Sequence, residues 1–172
     1  MIIQEKIGHI ASFPAGERVI DLLALEWFET GKRILRKRTA AGRDIALRFL
    51  RESPALTEGD ILYAGEKELI VVSILPCPVI VINPSSAYQL ASVCYEIGNK
   101  HLPLFIEEPV LLTPYEAPLF RQLQAQGYDV RKEDRPLLTS LRTTVAAHAH
   151  AYTGGSDGSL FSKILNLTSP GT

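Results

Sequence analysis

The chain has 172 residues, 46% of them hydrophobic, and its 18 basic and 19 acidic residues leave a formal net charge of -1. That apolar content suffices for packed cores and excludes a disordered chain, while the balanced charge excludes the basic surface of a general nucleic-acid binder. The two cysteines, Cys77 and Cys94, are too few and too far apart for a disulfide framework or a zinc knuckle, and the longest apolar runs, Leu69–Ile74 and Val79–Ile82, are too short to cross a bilayer.

Gln4, Glu5 and Lys6 stand where a signal peptide would carry its apolar stretch, so the expectation is a soluble cytoplasmic protein. In chain order, Ile2-Ile3, Val19–Phe28, Arg33–Thr39 and Arg43–Phe49 are β-favouring runs. They are separated by the turn signals Pro14-Ala15-Gly16, Thr30-Gly31 and Ala40-Ala41-Gly42. Asp44, Ala46 and Arg48 alternate with Ile45, Leu47 and Phe49, the period-two pattern of a half-buried strand. Ile61–Tyr63 and Leu69–Ile74 follow as a hairpin and an exit strand, and antiparallel strands at this spacing predict a small sandwich or partly closed barrel. Leu75-Pro76-Cys77-Pro78 is a short extended hinge, because two prolines around one residue oppose both a helix and a continuous ladder.

Beyond the hinge the pattern changes. Val79–Ile82 reads as a strand, Pro84-Ser85-Ser86 opens a helix running to Gly98, and Leu102–Ile106 and Val110–Leu112 are strands. Tyr115–Gln126 is helical and stopped by Gly127, and Tyr128–Arg131 is the last strand. The order β-α-β-β-α-β is the ferredoxin-like arrangement. The predicted fold class is therefore α+β: an N-terminal all-β sandwich or barrel over residues 1–75, a ferredoxin-like domain over 76–150, and a flexible Gly/Ser-containing tail over 151–172, with one short amphipathic stretch from Leu160 to Leu167.

The segment Cys94-Tyr95-Glu96-Ile97-Gly98-Asn99-Lys100-His101 organises the second half. Ala87, Leu90, Ala91, Cys94 and Ile97 recur at helical spacing and predict one apolar face. Gly98 and Asn99 tolerate left-handed backbone, so the helix is expected to stop there, leaving His101 at a rigid corner before a strand. Taken alone, such a histidine is more often a capped or solvent-facing residue than a ligand. His148-Ala149-His150 sets two imidazoles on one side of an extended segment, close enough for one metal ion, although an H-x-H pair by itself is a weak signal.

The run CYEIGNKH, with Thr113-Pro114-Tyr115-Glu116-Ala117-Pro118 after it and Met1-Ile2-Ile3, DLLALEWFET from Asp21 to Thr30 and Gly42–Ala46 before it, resembles the urease accessory nickel chaperones, the E proteins of urease maturation. The resemblance covers roughly three quarters of the chain and implies a ferredoxin-like second domain. It implies that His101 occupies the family's nickel-binding position and that a homodimer brings two copies together. Tail histidines, here His148 and His150, would complete the coordination. It also implies a nickel chaperone, not an enzyme, that hands Ni²⁺ to the urease accessory GTPase and through it to the apo-urease complex. A higher oligomer on metal binding is left open.

Imidazole nitrogen also suits Zn²⁺ and Cu²⁺, and such ligands must be neutral, so affinity is expected to fall as pH drops through the ordinary imidazole pKa of about 6.5. Many relatives end in a histidine-rich tail, but this chain offers only one pair there, so about one nickel per dimer is expected. Tyr115 and Ala117 stand where some relatives carry extra histidines, which argues against a second copper-type site.

Cys94 and Cys77 read as structural, His9 follows Gly8 in a turn and is assigned no role, and Glu107-Glu108 reads as a charged turn. Lys32, Arg33, Arg36, Lys37 and Arg38 form a basic edge that guards against aggregation or docks an acidic partner. The competing functional reading is a dimeric interaction module without metal, binding an extended client peptide through its N-terminal β domain by strand addition.

Overall fold

The computed structural model describes residues 1–50 and 55–141. Its first half is a sandwich. Strands β1 (Ile2–Ile3), β4 (Ile34–Arg38) and β5 (Asp44–Arg48) form a three-stranded sheet in the order β1-β5-β4. Strands β2 (Gly8–His9), β3 (Val19–Leu25), β6 (Asp60–Ala64) and β7 (Glu68–Ile74) form a four-stranded sheet in the order β2-β6-β7-β3. Alternation does the sorting. Ile45 and Leu47 point inward from one sheet, Leu23, Leu25, Ile70 and Val72 from the other, and together they close the core between them. Each such fully buried leucine or isoleucine contributes about 1.5–3 kcal/mol.

Two sequence expectations change here. The sandwich is not purely antiparallel, since β1 pairs with β5 and β3 with β7 in parallel. Parallel neighbours need a long crossover, and the whole β4-β5-β6 excursion supplies it between β3 and β7. The run from Val19 to Phe28 is not one strand either. It breaks after Leu25 into a 3₁₀ turn, Trp27–Glu29, because the Glu29 carboxylate reaches back to the Glu26 N–H at 3.0 Å.

Glu29 is buried and also meets Lys37 Nζ at 2.7 Å. Burial pushes its carboxyl up, but the Lys37 hydrogen bond, the Glu26 N–H and the charges of Lys37 and Lys32 outweigh that and hold it below the usual 4.5. A depressed carboxyl favours folding above the ordinary carboxylate pKa, and that contribution disappears as pH falls through the folded value. Urea midpoints are therefore expected to drop more steeply from about pH 5 to about pH 3 in the native protein than in Glu29→Gln. Equal slopes would show that the carboxylate contributes nothing to acid sensitivity.

The second half is the expected ferredoxin-like unit: β8 (Cys77–Asn83), α1 (Ala87–Asn99), β9 (Phe105–Glu107), β10 (Val110–Pro114), α2 (Ala117–Ala125) and β11 (Asp129–Arg135). Its sheet runs β11-β8-β10-β9, antiparallel throughout. The Pro-Cys-Pro hinge is shorter than predicted, for Cys77 and Pro78 already pair with Arg135 and Asp134. Proline is tolerated there because it lies at the strand's start, beyond the end of the β10 ladder.

The helices cover one sheet face, where Ile80 and Ile82 meet Val93, Ile97, Leu119 and Leu123. The opposite face, Val79, Val81, Phe105 and Leu112, is covered by Leu137 and by Trp27 from the first half. Trp27 stands perpendicular to Phe105 with ring centroids 5.6 Å apart, and it also packs against the sandwich core.

Candidate metal centre

Helix α1 begins where Ser86 Oγ accepts the Gln89 N–H at 3.1 Å. Its other end differs from the sequence expectation in an instructive way. Neither Gly98 nor Asn99 takes the left-handed conformation; His101 does, with φ +54°. The His101 N–H donates to the Gly98 carbonyl at 2.9 Å and the Leu102 N–H to the Ile97 carbonyl at 3.2 Å, the paired bonds of a Schellman stop. Leu102 packs with Ile97 in the same apolar cluster, and this contact fixes which residue must turn. His101 therefore occupies a position usually given to glycine, and its side chain is exposed. Just beyond it, Thr113 Oγ1, fully buried, donates to the Pro103 carbonyl at 2.9 Å and anchors the loop.

The apolar face of α1 is also redistributed. Val93 and Ile97 are the buried residues, with Cys94 half-buried, while Ala87, Leu90 and Ala91 face outward together with Tyr88 and Tyr95, the last two 81% and 70% exposed. Gly98 lies on the same outward arc, and among the described residues a Cβ added there would meet nothing within 4 Å. No charged residue falls on that arc, for Glu96, the helix's one charge, is half-buried and accepts from Gln122.

The chain after β11 returns to this region. Ile106 donates to the Thr139 carbonyl at 2.9 Å and Leu141 to the Leu104 carbonyl at 2.8 Å, so residues 139–141 run along β9 toward the His101 loop. The sequence pattern gave no warning of this pairing, because it fades after Leu137. His148 and His150 lie outside the described residues, as does the Leu160–Leu167 stretch. Among the described residues, no three His, Cys, Asp or Glu side chains converge as a metal site. Both thiols are pushed up, Cys94 by burial and Cys77 by burial with Glu26 and Asp134 nearby, so they stay protonated and make poor ligands. His9 is structural: Nε2 lies 2.9 Å from the Glu58 carbonyl, and Nδ1 accepts the Ala11 N–H.

Two family models match the chain: the UreE urease accessory protein N-terminal domain over residues 3–75 and the corresponding C-terminal domain over 77–159. The chain belongs to the UreE family of urease accessory proteins. It is 43% identical to the urease accessory protein UreE of Flavobacterium johnsoniae over 97% of this chain and 99% of that one. Similarity to the UreE of Actinobacillus pleuropneumoniae is 37% over 84% of this chain and 80% of that one, and to the UreE of Helicobacter pylori 39% over 85% and 88%. UreE proteins are accessory chaperones of urease maturation and not enzymes. No helix among the described residues is long and apolar enough to cross a membrane.

Proposed function

We propose that this UreE-family chain is a homodimeric nickel chaperone of the cytoplasm. Its residues 76–150 dimerise and carry Ni²⁺, its residues 1–75 meet accessory partners, and residues 151–172 form a tail. The observation that supports this reading most strongly is the placement of His101, exposed and fixed at the end of a helix whose outward arc is uncharged. A helical glycine costs about 1 kcal/mol relative to alanine. Among the described residues nothing crowds the outward side of Gly98 to require it, but close approach of a second helix would.

Two α1 helices meeting along Ala87, Ala91 and Gly98 about a two-fold axis would bring two His101 residues to one ion. The run of residues 139–141 toward the His101 loop supports a part for the tail. The seven residues from Leu141 to His148 reach up to about 23 Å, enough to bring His148 or His150 back to His101. Tail ligands that come and go leave positions open for transfer to the urease accessory GTPase and apo-urease. Zn²⁺ and Cu²⁺ compete for the same imidazoles, Cu²⁺ most strongly.

The test is activation of apo-urease in a reconstituted mixture with the accessory GTPase and limiting Ni²⁺. The protein is expected to raise activation, and His101→Ala to remove that gain; equal activation by both would reject the reading. Replacing both His148 and His150 by alanine is expected to weaken nickel binding by about tenfold while leaving the dimer intact. Sedimentation combined with titration calorimetry reads both effects, and dissociation of the dimer would make those residues structural.

A further inference from the structure

The outer face of the three-stranded sheet is built differently from the rest of the surface. Ile34, Arg36 and Arg38 of β4, Asp44, Ala46 and Arg48 of β5 and Ile2 of β1 all point away from the core, with Ile34 71% and Ile2 60% exposed. Register places Arg36 beside Ala46, Ala46 beside Ile2, Ile34 beside Arg48 and Arg38 beside Asp44. The small Ala46 side chain is thus the floor of a shallow groove walled by arginines and isoleucines.

Charge across this groove is unbalanced. Arg38 is held by Asp44 at 3.0 Å, and Lys37, on the opposite face, is held by Glu29. Among the described residues no carboxylate pairs with Arg36 or Arg48. Of the basic edge seen in the sequence, Arg33 lies outside the groove and Arg36 is the unpaired cation within it, to which the structure adds Arg48 from the neighbouring strand.

The main chain on this side is also open. The Phe49 N–H donates to the Arg33 carbonyl and the Thr39 N–H to the Arg43 carbonyl, both at 2.9 Å, so the odd residues of β4 face β5. By antiparallel alternation Ile34, Arg36 and Arg38 turn their N–H and C=O groups to the outer edge. β4 is the last strand of its sheet, and no backbone partner crosses that edge among the described residues. The same three residues offer unpaired backbone groups at the edge and apolar and basic side chains on the face.

We propose that β4 and this face are a docking site for an extended acidic segment of a partner protein. The segment adds as a strand beside β4, with its acidic side chains on the outer face toward Arg36 and Arg48 and the alternating apolar ones on the opposite face, the side of Leu35. A nucleic acid fits less well, because the face carries no aromatic ring for base stacking and the chain's net charge is -1. The site lies in the sandwich, shares no residue with the metal centre and stands or falls independently of nickel binding.

The probe is a capped Val-Glu-Val-Glu-Val peptide, with Val-Lys-Val-Lys-Val as control, titrated into the full-length protein by NMR. Binding of the acidic peptide is expected, with slowed amide exchange at Ile34, Arg36 and Arg38. The double variant Arg36→Glu/Arg48→Glu is expected to bind it about tenfold more weakly and to favour the lysine peptide. Both arginines are exposed, so the variant should keep the native circular dichroism and nickel affinity. Absence of acidic-peptide binding, equal binding of the two peptides, protection of amides elsewhere, or tighter binding of a single-stranded oligonucleotide would each overturn the proposal.

Discussion

Replacing His101 by glycine is expected to abolish tight nickel binding and, in the same variant, to make the metal-free protein more stable by about 1 kcal/mol. His101 has φ +54° at the turn of a Schellman stop, where an L side chain brings its Cβ close to backbone and glycine pays nothing. Histidine tolerates this conformation better than β-branched residues, so the penalty sits at the low end of the usual range. His101→Ala is the informative partner variant: it removes the imidazole but keeps the Cβ, so nickel binding is lost without the gain in stability. Titration calorimetry for Ni²⁺, and urea denaturation in the presence of chelator, separate the two effects. If His101→Ala titrates like the native protein, the metal is held elsewhere; if glycine does not stabilise, the left-handed corner is not strained. A gain in stability with loss of binding would mean that the imidazole is kept for what it does and not for how the chain folds.

Ala91→Glu is expected to give a folded monomer with nickel affinity reduced by about 100-fold. Ala91 is exposed on the uncharged arc of α1, so the glutamate costs the isolated chain little, whereas at a two-fold axis two carboxylates would face one another. In the proposed dimer two imidazoles act together, so its loss would remove one of them, and the loss of effective concentration sets the size of the expected effect. Sedimentation gives the mass, far-UV circular dichroism the fold, and calorimetry the affinity. A variant that remains dimeric would exclude α1 as the interface. Gly98→Ala makes a complementary probe with opposite signs. It should raise monomer stability by up to about 1 kcal/mol through helix propensity while weakening the proposed dimer, because the added methyl would stand where the second helix approaches.

The architecture of the second half was readable because its signals are local. Ser86 starts a helix, Gly127 with φ +80° follows the end of α2, and apolar strands lie between, so element order alone gave the ferredoxin-like chain path. His101 could also be singled out, since it follows a helix stop and falls in a family motif. The residue that makes the stop was misplaced, because the choice among Gly98, Asn99 and His101 depends on Leu102 packing against Ile97. That is a tertiary contact, whereas propensity alone favours glycine or asparagine.

The face of α1 was misread for a related reason. Periodicity finds apolar residues but cannot say which covering they await. Val93 and Ile97 face their own sheet, whereas Ala87, Leu90 and Ala91 turn away from it. In the sandwich, the parallel pairing of β3 with β7 joins residues about fifty positions apart, beyond anything a local pattern encodes.

Trp27 gives the molecule a built-in optical gauge. It is the chain's only tryptophan, and its indole touches the core of one half and meets Phe105 of the other. Emission from this one fluorophore is therefore sensitive to whether the two halves are closed on each other, with no added label. Because Phe105 lies four residues past His101, the proposed loading of Ni²⁺ is expected to register in the colour and intensity of that light.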